Sequence, residues 1–170
     1  SPRRAIASRN VVSGVDNTLV MFQRDLSTGQ LTLSTTIALA ASLGSSPALA
    51  VAPDGSQVFV GGGTRVQSFG WQSDGTLAAA QAQHVTAGAG NITSIAVSAD
   101  GASLYATGDG SVKVLDTARL LVRQNLVDAG PAGAAGIAVS ADGAFVYVAS
   151  QEDDALRVYS RAPGGRLTLA

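Results

Sequence analysis

Three copies of one short motif bring an aspartate into this chain at regular intervals, as VAPDG at 51–55 and as VSADG at 97–101 and 139–143. The three aspartates are Asp54, Asp100 and Asp142. Recurring carboxylates could bind a divalent cation or act as general acids and bases. Aspartate followed by glycine is also typical of a tight turn, in which the carboxylate bonds the backbone and glycine adopts a positive φ. We interpret all three aspartates as turn formers that lie too far apart to share one site.

Two further groups could do chemistry. His84, the one histidine, could be a general base or a metal ligand, but it falls in a predicted connection between repeat units with no carboxylate nearby in sequence. The acidic run QEDD at 151–154 could bind a cation, although we interpret it as a solvated hairpin turn. The absence of cysteine excludes disulfides, thiolate zinc sites and cysteine nucleophiles. Catalytic residues are therefore left unassigned, and we predict no metal site and no cofactor.

Composition limits the classes of partner. The 170 residues are 46% hydrophobic and 14% charged, with a formal net charge of −1, so there is no basic field to attract nucleic acid. No run approaches the roughly 18 uninterrupted apolar residues of a membrane span. We expect neither a nucleic-acid partner nor membrane insertion. Arginine and aspartate dominate the charged residues, which favours a bacterial source, and we expect a periplasmic or extracellular location.

The elements that must position these residues repeat every 42 to 46 residues or so. After each Asp-Gly come three more short runs rich in β-branched and aromatic residues, and each run is too short for a helix. The first unit matches the later ones but lacks its opening strand, so the pattern predicts fifteen strands in four units. The unit boundaries are 1–44 (incomplete), 45–90, 91–132 and 133–170.

Four-stranded antiparallel units at this spacing are the pattern of β-propeller blades. The fold class predicted from the residues is therefore all-β, with about four propeller blades in a single domain. The run AVSADGAFVYVASQEDDALRVYSRAPGGRLTL (138–169) and the run FQRDLSTGQLTL (22–33) also resemble the repeats of the bacterial lactonase-type and YVTN-type propellers. That resemblance implies a ring that is commonly seven-bladed and needs roughly 300 residues.

About four blades leave three possibilities open. The chain could be a fragment of a larger ring, which we favour because the first unit lacks a strand. It could instead close as a four-bladed ring or assemble with copies of itself. A partial ring exposes apolar blade faces and unpaired strand edges. We therefore expect further blades of the same ring, self-association or a partner fragment to cover them.

A binding site is most expected where the units differ. The first unit carries a long loop, RNVVSGVDNT at 9–18, and long loops often carry specificity. Its candidate ligand-binding residues are Arg9, Asn10, Asp16 and Asn17. We interpret the chain as a non-enzymatic module that binds a ligand or protein, within a larger bacterial protein. The alternative, implied by the resemblance, is part of a sugar-lactone hydrolase, which should place several polar residues on its inner strands. Those strands offer only Thr93, Ser94, Ser98 and Ser140.

Overall fold

The structure, a computed structural model, describes most of the chain. The described residues are 4–9, 18–39, 43, 47–73, 76–78, 82–85, 91–108, 110–127 and 133–170. They form fifteen strands in four antiparallel sheets. In this part of the chain we find no helix of the length and apolarity needed to cross a membrane. The predicted all-β architecture of propeller blades is confirmed.

The first two sheets come from the N-terminal half. Sheet 1 contains β1 (Arg4–Arg9), β2 (Thr18–Arg24) and β3 (Leu31–Ala38). Sheet 2 contains β4 (Ala48–Val51), β5 (Gln57–Gly62), β6 (Arg65–Gly70) and β7 (Ala82–Val85). In both sheets the strands are ordered as they follow along the chain. Sheet 1 has three strands, as the pattern predicted for a unit without its opening strand.

The C-terminal half supplies two four-stranded sheets of the same design. Sheet 3 contains β8 (Ser94–Val97), β9 (Ser103–Gly108), β10 (Ser111–Asp116) and β11 (Val122–Leu126). Sheet 4 contains β12 (Ala134–Val139), β13 (Phe145–Ser150), β14 (Leu156–Arg161) and β15 (Leu167–Leu169). The innermost strand β8 contacts both β4 and β12. The opening strands of sheets 2, 3 and 4 thus lie side by side, as strands around a propeller channel do.

Each pair of successive sheets encloses its own hydrophobic core. Leu19 of sheet 1 and Phe69 of sheet 2 belong to the first core, and Phe59 of sheet 2 and Leu104 of sheet 3 to the second. Tyr105 of sheet 3 and Tyr159 of sheet 4 belong to the third. Because neighbouring residues on a strand point to opposite faces, sheets 2 and 3 are buried on both faces. This explains why β9 is buried along its whole length.

The repeated Asp-Gly motifs are turns, as predicted. The Oδ1 atoms of Asp54, Asp100 and Asp142 accept hydrogen bonds from the backbone N–H two residues later, at 2.9, 3.0 and 2.9 Å. The glycine that follows each aspartate has a φ of 71–72°, a conformation that other residues rarely adopt. Each turn joins the first strand of its sheet to the second. The three carboxylates therefore belong to three different sheets.

The outer strand of sheet 2 lies further along the chain than its pattern indicates. The repeat pattern predicts this strand at GTLAAAQ (75–81), but the structure places it at β7, where Val66 pairs with His84. Leu77 instead forms an isolated bridge with Trp71 and is buried. His84 is consequently part of a sheet and not of the connection predicted for it. A run of alanines carries little information about register, since it has no large side chain to assign to one face.

Candidate functional site

The loop expected to bind a ligand lies mostly outside the described residues. Asn10, Asp16 and Asn17 fall in the range 10–17, about which the structure says nothing. Arg9 is described through its backbone, which ends β1 opposite Thr18. The assignment of these four residues to ligand binding therefore stays a prediction.

A cavity of about 650 Å³ opens between sheets 3 and 4, at the end of the sheets opposite the Asp-Gly turns. Its wall is formed by the residues that precede and begin β12, by Thr93 just before β8, and by two hairpin loops. The lining residues are Thr93, Gly110, Gly133, Ala134, Ala135, Gln151 and Glu152. Most of this wall is backbone and small side chains, so Gln151 and Glu152 provide its long polar groups.

The position of Glu152 depends on a glycine. Gly133 has a φ of +62°, and a Cβ built on it would lie 2.9 Å from Cδ of Glu152. The Gln151 N–H donates to Gly133 O at 3.2 Å. The loop 151–154 is thereby held against the segment that leads into β12. Any side chain at position 133 would displace the carboxylate that faces the cavity.

The acidic run does not gather its carboxylates around one point. Asp153 forms an ion pair with Arg157, with Oδ2 and Nη2 2.5 Å apart. Hydrogen bonding from the Arg157 side chain, first, and from the Ser150 side chain lowers the pKa of Asp153. Asp154 takes the positive φ, 48°, that the tight hairpin requires. Within the described ranges, no group of three acids, histidines or cysteines has the arrangement of a metal site.

Hydroxyl groups of the inner strands are used to hold the framework together. Thr93 Oγ1 donates to Ala134 O at 2.5 Å, across the boundary between sheets 3 and 4. Ser94 Oγ accepts the Ile137 N–H at 3.3 Å across the same boundary. Ser98 donates to the turn aspartate Asp100 at 2.5 Å. All three polar groups therefore have partners in the backbone or in a turn.

Ser140, the fourth polar residue of the inner strands, follows the same rule. Its Oγ donates to Asp142 Oδ1 at 2.5 Å and accepts the Phe145 N–H at 2.9 Å. Hydrogen bonding from Ser140, followed by the Ala144 N–H, lowers the pKa of Asp142. The described inner strands thus present no polar side chain that is unengaged and aimed at the channel.

One turn aspartate has a second role that sequence patterns did not indicate. Arg161 of sheet 4 donates through Nη2 to Asp100 Oδ2 at 2.6 Å and through Nε to the Tyr105 hydroxyl at 2.7 Å, both in sheet 3. The Ser98 hydroxyl, the Ala102 N–H and Arg161 together lower the pKa of Asp100 to about 2. We call this group of Arg161, Asp100 and Tyr105 the bracket. It joins two sheets, and Arg161 and Asp100 are 61 positions apart in sequence. In the sequence, this contact is marked by nothing more than the arginine within YSRA (159–162).

Comparison with known proteins supports the architecture. The family described as WD domain, G-beta repeat matches residues 75–116, about one repeat unit. No curated protein matches the chain. A solved structure of a protein from Lactobacillus plantarum is 22% identical, with a TM-score of 0.76 and coverage of 98% of this chain and 54% of its own.

Two further solved structures carry lactonase names. The periplasmic gluconolactonase of Pseudomonas aeruginosa is 19% identical, with a TM-score of 0.73 over 98% of this chain and 52% of its own. A Bacteroides uniformis protein provisionally named a 6-phosphogluconolactonase is 20% identical, with a TM-score of 0.70 over 89% of this chain and 50% of its own. The chain thus spans about half the length of these structures. At these identities the likeness extends to the fold, which is that of a β-propeller.

Proposed function

We propose that this chain is a non-enzymatic β-propeller module that binds a ligand or a protein, within a larger bacterial protein. The observation that carries the proposal is the engagement of the inner-strand hydroxyls. Thr93 and Ser94 form hydrogen bonds with the backbone of sheet 4. Ser98 and Ser140 donate hydrogen bonds to the aspartates of the turns that follow them. A hydrolase needs a nucleophile or a water held beside a general base. The described inner strands supply neither.

The cavity between sheets 3 and 4 is the surface that best fits a ligand. Its volume of about 650 Å³ lies within the roughly 300–1,000 Å³ of small-molecule sites. Gln151 offers both donors and acceptors, and the Glu152 carboxylate accepts hydrogen bonds only. This pair suits a ligand that presents hydroxyl or ammonium donors. Among the described lining residues Glu152 is the one charged group, so the cavity favours a ligand that carries donors or a positive charge.

Calorimetric titration with a panel of polyols, amines, sugar lactones and the corresponding open-chain acids tests the proposal. We expect binding of donor-rich compounds without turnover of any lactone in a pH-stat assay. Glu152→Gln should weaken that binding by about tenfold, because a hydrogen bond to a charged group is worth roughly 1.5–3 kcal/mol. Asp154→Asn is the matched control, since Asp154 lies in the same loop but does not line the cavity, and asparagine tolerates its positive φ.

Two results would contradict this function. Binding that is equally strong in Glu152→Gln and in the control would remove the cavity as its site. Hydrolysis of a lactone above the buffer rate, abolished by a substitution in this chain, would make the protein an enzyme.

Lactone hydrolysis by the complete ring is the second candidate function. It rests on the lactonase names of two solved structures that share the fold and on the repeat resemblance. Because this chain spans about half of those structures, an active centre would require residues beyond the described ones. Assay of the longest natural form of the protein against the same lactone panel separates the two candidates, and turnover by that form alone would favour hydrolysis.

A further inference from the structure

The junction between sheets 3 and 4 is a template for how two blades of this chain recognise each other. On the sheet 3 side lie Asp100 and Tyr105, and on the sheet 4 side lie Arg161 and Leu167. Tyr105 is 0% exposed and Leu167 is 2% exposed. Arg161 donates hydrogen bonds to the Asp100 carboxylate and to the Tyr105 hydroxyl. Apolar burial and a charged bracket therefore occur together at this junction.

The far side of sheet 4 carries the same arrangement of residues as the sheet 3 side of this junction, and none of the described sheets covers it. We call it the trailing face, and it consists of Asp142, Phe145, Tyr147, Leu156 and Val158. The repeat alignment makes Asp142 the equivalent of Asp100 and Tyr147 the equivalent of Tyr105. Phe145 and Leu156 are 38% and 66% exposed. Register places Phe145, Tyr147, Leu156 and Val158 on one side of the sheet.

The side of sheet 1 that faces away from sheet 2 carries the same arrangement of residues as the sheet 4 side of the junction with sheet 3. We call it the leading face, and it consists of Phe22, Arg24, Leu31 and Leu33. Strand pairing places Phe22 opposite Leu33 and Arg24 opposite Leu31, as it places Tyr159 opposite Leu169 and Arg161 opposite Leu167 in sheet 4. Leu31 and Leu33 are 54% and 59% exposed.

Arginine stands at this position only in the first and last units. In sheets 2 and 3 the equivalent residues are Trp71 and Thr117, whose side chains donate to the glycine carbonyl of the Asp-Gly turn in their own sheet, at 2.5 and 2.7 Å. The two ion pairs found among the described residues are Arg157–Asp153 and Arg161–Asp100. Arg24 belongs to neither, although it ends its strand as Arg161 does.

We propose that the trailing face of one copy of this chain binds the leading face of a second copy, with Arg24 placed between Asp142 and Tyr147 as Arg161 is placed between Asp100 and Tyr105. The two faces are complementary in charge, and both carry exposed apolar side chains. Both halves of a recognised junction are present in one sequence, which is the requirement for a head-to-tail contact between identical chains. This contact goes beyond the proposed ligand binding and does not depend on it.

Two copies joined in this way at both ends would form a ring of eight sheets, which lies within the range of known propellers. The solved propellers matched by this chain are about twice as long as the part it covers. A second copy thus supplies about the amount of structure that one such ring contains. We therefore expect the assembly to close at two copies and not to grow into a filament.

Sedimentation equilibrium at about 100 μM, well above a micromolar dissociation constant, tests the contact. We expect twice the mass of one chain for the unmodified protein. Arg24→Asp and Asp142→Arg each place like charges at both junctions, so each alone should raise the dimer dissociation constant by at least about tenfold. An equimolar mixture of the two variants should form a heterodimer, because one of its junctions is native and the other has its charges exchanged.

Matched controls separate this contact from damage to the fold. Asp54→Arg breaks an equivalent turn in sheet 2, and Arg119→Asp makes the same charge change at an exposed site of sheet 3. Both should remain dimeric. If the charge variants fail to fold, Leu31→Asn weakens the same contact through an exposed apolar residue. A one-chain mass for the unmodified protein, or a mixture that does not reassociate, would overturn the proposal.

Discussion

Tyr105 and Tyr147 occupy the same position in two copies of one repeat and have different surroundings. Tyr105 is fully buried against sheet 4, where its hydroxyl accepts a hydrogen bond from Arg161. Tyr147 is half-buried on the trailing face of sheet 4. The local sequences, SLYATG at 103–108 and FVYVAS at 145–150, form the same strand in both cases. Burial at this position is therefore set by the neighbouring sheet and not by the strand.

The comparison teaches that each sheet contributes two half-interfaces. Three of these junctions are filled within the described structure and each has its own core. The stabilisation from burial should be concentrated at those junctions, whereas the leading and trailing faces should tolerate substitution in an isolated chain. This difference can be measured at matched positions.

The largest expected difference comes from truncating the two tyrosines. Tyr105→Ala should lower the free energy of unfolding by about 3–5 kcal/mol, the usual cost of removing a buried aromatic ring. Tyr147→Ala should cost about 1 kcal/mol or less at concentrations where the chain is a monomer, because its ring already contacts water. Urea denaturation followed by circular dichroism measures both values. Equal losses at the two positions would mean that sheet 4 is covered on both sides in solution.

Much of this architecture could be predicted from local sequence. The contacts that could not be predicted join residues far apart in the chain. The Asp-Gly turns and the β-branched runs depend on residues a few positions apart, so fold class and strand number followed from them. The bracket between Asp100 and Arg161 joins residues 61 positions apart. Local pattern assigns Asp54, Asp100 and Asp142 the same role, since nothing near each turn indicates which side chain the next sheet brings.

The candidate site was less predictable than the fold for a related reason. The cavity wall combines the start of β12 with the 151–154 hairpin, and its shape depends on Gly133 approaching Glu152. A glycine in PAGAAG (131–136) gives no indication of that contact in sequence. The charge of the QEDD run predicts a solvated turn, which is how Asp153 and Asp154 behave, but it gives no indication of the cavity beside Glu152.

Two adjacent glycines test how tightly the filled junction is packed. Gly164 and Gly165 both have positive φ, +86° and +91°, so alanine at either position is strained. A Cβ at Gly164 would meet open space, whereas one at Gly165 would lie 2.9 Å from Ser103 Cβ, across the junction with sheet 3. Gly165→Ala should therefore be about 1–3 kcal/mol more destabilising than Gly164→Ala. The melting temperatures of the two variants measure this difference. Equal values would mean that sheets 3 and 4 can move apart enough to accept the added methyl group without loss of stability.

The bracket at the same junction should matter more than its counterpart on the leading face. Arg161→Ala removes hydrogen bonds to Asp100 and Tyr105. It should cost about 1–2 kcal/mol in the free energy of unfolding, towards the low end for hydrogen bonds to charged groups, because the Asp100 side chain is 50% exposed. Arg24→Ala, at an exposed residue that ends the equivalent strand, should change the stability of the monomer by less than about 0.5 kcal/mol. Chemical denaturation of both variants at low protein concentration is the measurement. A cost at Arg24 as large as that at Arg161 would show that its partner is already present within one chain.

The smallest expected effect is a change in the free energy of unfolding at acid pH. It tests the contribution of the Asp100 charge to the bracket. The pKa of Asp100 is lowered to about 2 by the Ser98 hydroxyl, the Ala102 N–H and Arg161. Because the folded state lowers this pKa, the carboxylate stabilises the fold above about pH 4, near its unfolded value of roughly 3.9, and this contribution is lost as the pH falls towards 2.

The contribution should not exceed about 1 kcal/mol, since Asp100 is 50% exposed and solvent screens the ion pair. Asp100→Asn should flatten the decline of unfolding free energy between about pH 4 and pH 2 more than Asp142→Asn does. The Asp142 pKa is also lowered, but by hydrogen bonds of its own turn without an arginine. Urea titrations across this pH range measure the two slopes at low concentration. If the two substitutions flatten the decline equally at low concentration, Asp142 already has an arginine partner within one chain, whereas a larger effect of Asp100→Asn means that the bracket belongs to the filled junction.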